Sequence, residues 1–323
     1  MKFELNGVLA AAAIALAGVA GVQAQDFPRS DTTMVVGWPA GGAADRTARL
    51  LADFVSRDLD RSVVVTNIPG AGGSTGVRSV TGADPQGYVI GLTGASIIPQ
   101  SYMNANAPAL DEIEPIVFIG PDPGAVQVRA DTGIETLDQL FEKLRAEPGS
   151  VVNGNDNPGG YSFILASLIE QKFGVEFSKV SYQGYAPTIA AIMTGEVQST
   201  TLPVVQLIEQ HKAGDIRILG VTGEERHFYA PEIPTFKEQG YDLVSGDWFI
   251  IYGPKGMSTE VKAFWEERFL AALNNPELQE AAKNQGITIA PRDAAGAADF
   301  VALQDETVYP ILDAAGLVQA RKK

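Results

Sequence analysis

Beyond residue 25 the apolar positions change period repeatedly, and each change marks an element. Thr33–Val36 is a short continuous apolar run, as in a strand buried on both faces. Ala44, Ala48, Leu51, Ala52, Val55 and Leu59 then recur at helical spacing. Val63–Asn67 and Tyr88–Thr93 read as further strands. Thr136-Leu137-Asp138-Gln139 opens a helix with a capping box; Leu137, Leu140, Phe141 and Leu144 form its buried face, and Gly149 stops it. Strands at Val151–Asn153, Lys179–Tyr182, Val197–Thr201 and Ile216–Thr222 alternate with helices at Ser162–Phe173, Pro187–Thr194 and near Val204–Ala213. Trp248–Tyr252 is strand-like. Ser258 then caps a helix carrying Val261, Phe264, Trp265, Phe269 and Leu273, and Pro276–Gln285 and Ala294–Ala314 read as helices. Such alternation predicts α/β layers with mostly parallel sheets. There is no repeat of fixed period and no low-complexity linker. One large sheet fits the pattern, and so do two lobes with the chain crossing between them and ligands in the cleft.

The first 24 residues read differently. Lys2 gives a weakly positive start, partly offset by Glu4; Leu5–Val22 is apolar and small, and Val22-Gln23-Ala24 suits signal-peptidase cleavage. The expectation is a cleaved signal peptide, a mature chain from Gln25 and a Gram-negative periplasm. The run is short for a membrane anchor and lacks charge on its far side.

Composition narrows the chemistry. The 323 residues are 45% hydrophobic with a net charge of −15, a surface unsuited to nucleic acid or anionic membrane. An anionic ligand must therefore be captured locally. With no cysteine, disulfides, thiolate metal sites and cysteine nucleophiles are excluded. The two histidines, His211 and His227, read as surface residues, so neither a metal site nor a cofactor is expected.

Two glycine-rich loops follow strands. Trp38-Pro39-Ala40-Gly41-Gly42-Ala43-Ala44-Asp45 leads directly into a helix, where bare backbone N–H groups and the partial positive charge of the helix end suit a small carboxylate. Asp45, in the first turn, reads as a cap or dipole partner more readily than as a ligand contact. Pro69-Gly70-Ala71-Gly72-Gly73 reads as a turn shaping the cleft floor. Gly72-Gly73-Ser74-Thr75-Gly76 matches the hydrolase pattern G-x-S-x-G, but six loop residues separate its serine from the strand, where a nucleophile elbow needs none.

These segments, in order, resemble the substrate-binding proteins of tripartite tricarboxylate transporters, the Bug or TctC family. Trp38–Asp45 is similar to P-F-x-x-G-G-x-x-D, and Val63–Gly73 to V-V-V-E-N-x-P-G-A-G-G. Asp84–Tyr88 is similar to P-D-G-Y, Tyr182–Pro187 to Y-x-G-x-x-P, Lys212–Arg217 to K-A-G-x-x-R, and Pro231–Phe236 to P-x-x-P-T-x before Glu238-Gln239-Gly240. The resemblance implies a two-lobed periplasmic binding protein (a Venus flytrap) with a mostly parallel sheet in each lobe and the chain crossing twice. Lobe one would hold 25–120 and 247–323, and lobe two 121–246. It further implies a monomeric receptor, not an enzyme, that delivers a small carboxylate to a permease with a large and a small subunit. A sensor passing a loaded lobe to a membrane kinase would share the fold.

By the same resemblance, ligand contacts fall on Trp38, Pro39, Ala40, Gly41, Gly42 and Asp45, and on Gly94, Ala95 and Ser96 of the same lobe. From the other lobe come Asn157, Gly159, Gly160, Tyr161 and Ser162, a second glycine-softened helix start, with Tyr182, Tyr185 and Gln198. Trp248 lies at the return crossing, as core or cleft wall. Four departures bear on specificity. Gln198 replaces a common Asp, which counts against amino-acid ligands; Ile164 replaces a common His; Tyr161 and Phe163 replace small residues; and Trp38 replaces a typical Phe, suggesting a more apolar or aromatic pocket.

Overall fold

The computed structural model describes residues 27–323. The signal-peptide and cleavage assignments fall outside the described residues.

The chain builds two five-stranded sheets of the same strand pattern. It opens with β1 (Thr32–Val36), α1 (Ala43–Arg57), β2 (Val63–Asn67), α2 (Ser74–Thr81), β3 (Val89–Gly94) and α3 (Ile97–Met103), then runs up the long strand β4 (Ile113–Pro123). It passes through Gly124 into β5 (Ala125–Arg129) of the second sheet. There follow α4 (Leu137–Ala146), β6 (Val152–Asn155), α5 (Tyr161–Phe173), β7 (Ser178–Ser181), α6 (Tyr185–Thr194), β8 (Ser199–Thr200), α7 (Ile208–Ala213) and β9 (Ile216–Val221). The return strand β10 (Gly246–Pro254) re-enters the first sheet, and α8 (Thr259–Leu273), α9 (Pro276–Asn284) and α10 (Ala294–Ala314) complete it.

The first sheet has the order β2-β1-β3-β10-β4 and the second β7-β6-β8-β5-β9. In each, three strands run parallel, and the strand arriving from the other lobe lies antiparallel between them and the last strand. Two crossings joining two mixed sheets give the two-lobed α/β architecture.

Strands β4 and β5 and helices α2 and α3 lie where the periodicity showed nothing. Pro115, Pro121 and Pro123 interrupt the pattern of β4, yet they fit an edge strand, where a missing N–H breaks no second ladder. Helix α2 carries Gly76, and α3 is one short stretch with Pro99 inside it. Thr136 caps α4 by accepting the Gln139 N–H at 3.2 Å, while the Gln139 side chain accepts the Glu135 N–H at 2.7 Å.

Cores lie on both faces of the first sheet. Leu51, Phe54, Trp265 and Phe269 pack on one, and Val77, Ile98, Tyr102 and Val308 on the other. In the second lobe Phe141 stacks on Phe173 with ring centroids 5.3 Å apart and meets Tyr241 edge-on at 4.9 Å. The histidines are not surface residues as expected. His227 is buried, stacks on Phe228 and accepts the Tyr229 N–H on Nδ1; burial alone pushes its pKa down to about 4. His211 is half-buried and its Nδ1 accepts the Ile218 N–H.

Because Phe141 is fully buried at the centre of its cluster, Phe141→Ala should cost about 3–5 kcal/mol. The check is the shift in urea midpoint at unchanged slope.

Candidate functional site

Loops leaving the carboxyl ends of the parallel strands of both sheets meet across the crossing strands, where open α/β sheets place ligands. In lobe one, bare backbone permits a tight stack. A Cβ on Gly37 would sit 2.7 Å from the Gly73 carbonyl oxygen, and one on Gly76 equally close to the Gly37 Cα. A Cβ on Gly73 would sit 3.1 Å from the Trp38 indole. The second glycine loop therefore lies beneath the first and supports Trp38.

Asp45 holds this loop in shape. Its carboxylate accepts the Gly41 N–H at 2.8 Å, Arg49 Nε at 3.0 Å and Asn67 Nδ2 at 2.9 Å; the same Asn67 amide donates to the Trp38 carbonyl. Burial pushes the carboxyl upward, but the hydrogen bonds from Arg49, Gly41 and Asn67 and the Arg49 charge outweigh it and lower the pKa to about 2. Both oxygens are thus committed to the loop, as a cap would be. Pro39, Ala40, Gly41 and Gly42 are exposed, and Gly41 has φ +86°. The backbone N–H groups of Gly42, Ala43 and Ala44 have no partner among the described residues, and Gly42 brings no side-chain cap to the fifteen-residue α1.

The facing loop of lobe two differs from expectation. The start of α5 is not an open anion site: Asp156 occupies it, accepting the Phe163 N–H at 3.2 Å. Gly160 leaves the room, since a Cβ there would collide with the Asp156 carboxyl. Burial raises the Asp156 pKa to about 7 against the lowering by the Phe163 N–H, with Asp247 adding to the rise. Gly159, at φ +77°, lies against α3 of the other lobe, where a Cβ would meet Met103 Sδ at 2.5 Å and Pro99 at 3.1 Å. The Asn157 carbonyl accepts the Gly160 N–H at 2.7 Å and closes this turn.

Beneath the loops run the crossing strands. Asp122 on β4 and Asp247 on β10 are direct cross-strand partners. Asp247 accepts N–H groups from Trp248 at 2.9 Å and Ala95 at 3.3 Å, and the Tyr185 hydroxyl of lobe two at 3.2 Å. Burial raises the pKa of both aspartates, and at Asp122 the nearby Asp247 adds to it. Among the described residues Asp122 Oδ1 and the Ser96 hydroxyl are buried without a partner, while the Tyr161 hydroxyl lies beside Thr222 and Ser245. A shallow groove open to solvent, with a cavity volume of only about 20 Å³, joins Ala43 and Arg46 on α1 to Asp122 and Val205. Sequence reasoning missed Asp122, Asp156 and Asp247 as site residues; their signal is acidic residues at strand ends, Asp122 and Asp247 beside the two crossings and Asp156 just after β6.

Several expected contacts lie elsewhere. Gln198 is exposed at the opposite end of the second sheet, where its Oε1 accepts the Val152 N–H at the start of β6. Trp248 is core: it is buried and meets Phe300 edge-on at 5.5 Å. Gly94 is a packing glycine, with the Trp248 carbonyl oxygen 2.6 Å from where its Cβ would stand. Ser162 is locked in a buried network with Asn155 and Thr201. The Tyr182 hydroxyl is tied to Glu196 at 2.9 Å. Ile164 and Phe163 pack with lobe-one side chains in an apolar seam between the lobes. Ser74 is buried, and its hydroxyl points to Gln100 Oε1 at 3.4 Å, whereas both histidines belong to the second lobe.

The profile of the tripartite tricarboxylate transporter family receptor, TctC, matches residues 47–317. The chain belongs to this family. It is 28% identical over 282 residues to Protein BugT of Bordetella pertussis, covering 85% of this chain and 86% of BugT. The structure of the periplasmic binding protein BugD superposes with a TM-score of 0.74 at 26% identity, over 90% of this chain and 99% of BugD. R. palustris Rpa4515 with adipate has the same fold, with a TM-score of 0.77 at 23% identity over 90% of this chain and 99% of that one. Among the described residues of this receptor no helix is long and apolar enough to cross a membrane, and no group of His, Cys, Asp or Glu is arranged to hold a metal ion.

Asp45→Asn should lower stability at neutral pH by about 1–3 kcal/mol, the scale of lost charged hydrogen bonds. The folded carboxyl titrates below its ordinary 3.8, so its contribution is whole above about pH 4 and fades as pH falls through about 2. The gap between wild type and variant in urea should close over that interval. Gly159→Leu should weaken ligand binding by holding the lobes apart, seen as a larger radius of gyration in scattering with ligand present.

Proposed function

We infer that the protein is an exported receptor that takes a small organic acid into the cleft between its lobes. It then presents the loaded, closed form to a membrane permease with a large and a small subunit. The lobes divide into 25–120 with 247–323, and 121–246, and the receptor acts as a monomer. The carrying observation is the row of N–H groups at Gly42–Ala44, without a partner among the described residues, at the start of α1, where Gly42 is exposed. A carboxylate there accepts charge-assisted bonds from donors already held in place by Asp45 and Asn67. Adipate bound by a protein of the same fold supports a ligand of that size and chemistry.

Magnitude argues for a second anchoring point. Two or three charged hydrogen bonds at about 1.5–3 kcal/mol each barely exceed the 4 kcal/mol or more that association costs. Micromolar affinity needs about 8 kcal/mol net, so the far end of the ligand must bind too.

Calorimetry with di- and tricarboxylates, aromatic acids, keto acids and amino acids tests the reading. One acid class should bind and be recovered unchanged. Gly42→Val should fold normally, because φ −74° and ψ 173° suit valine and only the Pro39 carbonyl oxygen, at 3.7 Å, lies near its Cβ. It should weaken binding roughly a hundredfold, about 3 kcal/mol. A folded Gly42→Val that binds like wild type removes this loop from the site.

A further inference from the structure

We propose that Leu317–Lys323 is a strap that fixes helix α3, and that through α3 it steadies both the glycine loops of lobe one and the contact between the lobes.

Helix α3 is seven residues long, too short to hold its shape unaided, and its last carbonyls need donors from outside. The strap supplies them. Gln319 and Ala320 donate their N–H groups to the Tyr102 carbonyl at 3.1 and 2.7 Å. The Arg321 guanidinium donates through Nη1 to the Ser101 carbonyl at 2.8 Å and through Nη2 to the Ala107 carbonyl at 2.7 Å, just beyond the helix. A cation at the carboxyl end of a helix also meets the favourable end of its dipole. Farther along, Lys323 pairs with Asp305 at 2.6 Å. The same carboxylate accepts the Tyr102 hydroxyl at 2.7 Å, and Tyr102 meets Tyr309 edge-on at 4.8 Å. Leu317 and Val318 pack on the core that holds Ile98 and Tyr102. A segment trailing a helix frays unless tied down, and this one is tied by backbone and side chains alike.

The rest of α3 touches the glycine loops and the other lobe. Gln100 lies against Gly72, where a Cβ would collide with the Gln100 amide, and its Oε1 accepts the Ser74 hydroxyl at 3.4 Å. Gly73, next in that loop, supports Trp38. Pro99 and Met103 lie against Gly159 of lobe two. Two turns of helix thus meet the strap, the loop and the far lobe. Close packing passes a shift at the carboxyl end of α3 on to both other contacts.

Hydrogen exchange of the protein without added ligand, read by mass spectrometry, tests the proposal. Arg321→Met keeps most of the stem and removes both guanidinium bonds. Exchange should rise at least about tenfold in 97–107 and also in 70–75 and 157–160, while α4 at 137–146 stays as in wild type. Asp305→Asn, which neutralises the partner of Lys323, should act in the same direction and serves alone if Arg321→Met fails to fold. Phe269→Leu is the control, since it loosens the core on the opposite face of the first sheet without touching the strap. If the strap variant leaves either 70–75 or 157–160 exchanging as in wild type, or if Phe269→Leu reproduces the same pattern, the strap is a local tie only and the proposal is overturned.

Discussion

Everything in the cleft depends on the antiparallel pairing of β4 with β10. Along Ile113–Pro123 and Gly246–Pro254 the two strands that leave and re-enter the first lobe lie side by side. They are ladder partners and crossings at once, so the main-chain bonds that complete the first sheet also set where the second begins. Gly124 is the point of passage: a side chain there would collide with Tyr161 and crowd Leu165 and Thr222 of lobe two. The matching strand order of the two sheets follows, since each completes itself with a strand from the other's side of the crossing.

That pairing carries an electrostatic cost. Two carboxylates about 5 Å apart at an effective dielectric near 20 repel by roughly 3 kcal/mol. The protein offsets part of it by giving Asp247 three hydrogen-bond donors, one of them Tyr185 from the opposite lobe, and by pushing the carboxyls toward their neutral forms. Tyr185 to Asp247 is therefore a polar latch between lobes, beside the apolar seam of Ile164, Phe163 and Met103.

The two ends of the cleft are chemically opposite. On lobe one Asp45 is spent internally, and helix α1 keeps its first N–H groups open. On lobe two Asp156 caps α5 from within and closes the equivalent place. A glycine-softened helix start reads the same in both stretches of sequence; only the position of one carboxyl decides which start is vacant.

The sequence by itself determined the α/β class, most elements, the family and the lobe-one loop, because these rest on local quantities. Periodicity encoded α1, α4, α5 and α8, the Thr136 and Ser258 caps were legible as such, and six ordered motifs identified the relatives. Tertiary structure decided what depends on pairing between distant segments. Strand β4 was hidden by three prolines that only its edge position makes acceptable. Trp248 proved core and His227 buried, since the neighbours that cover them, Phe300 and Phe228, are supplied by packing rather than by period. Gln198 moved out of the cleft, because which end of a strand faces the other lobe is a property of the sheet. Asp122 and Asp247 lie 125 positions apart, and no local pattern announces that a ladder will set them side by side.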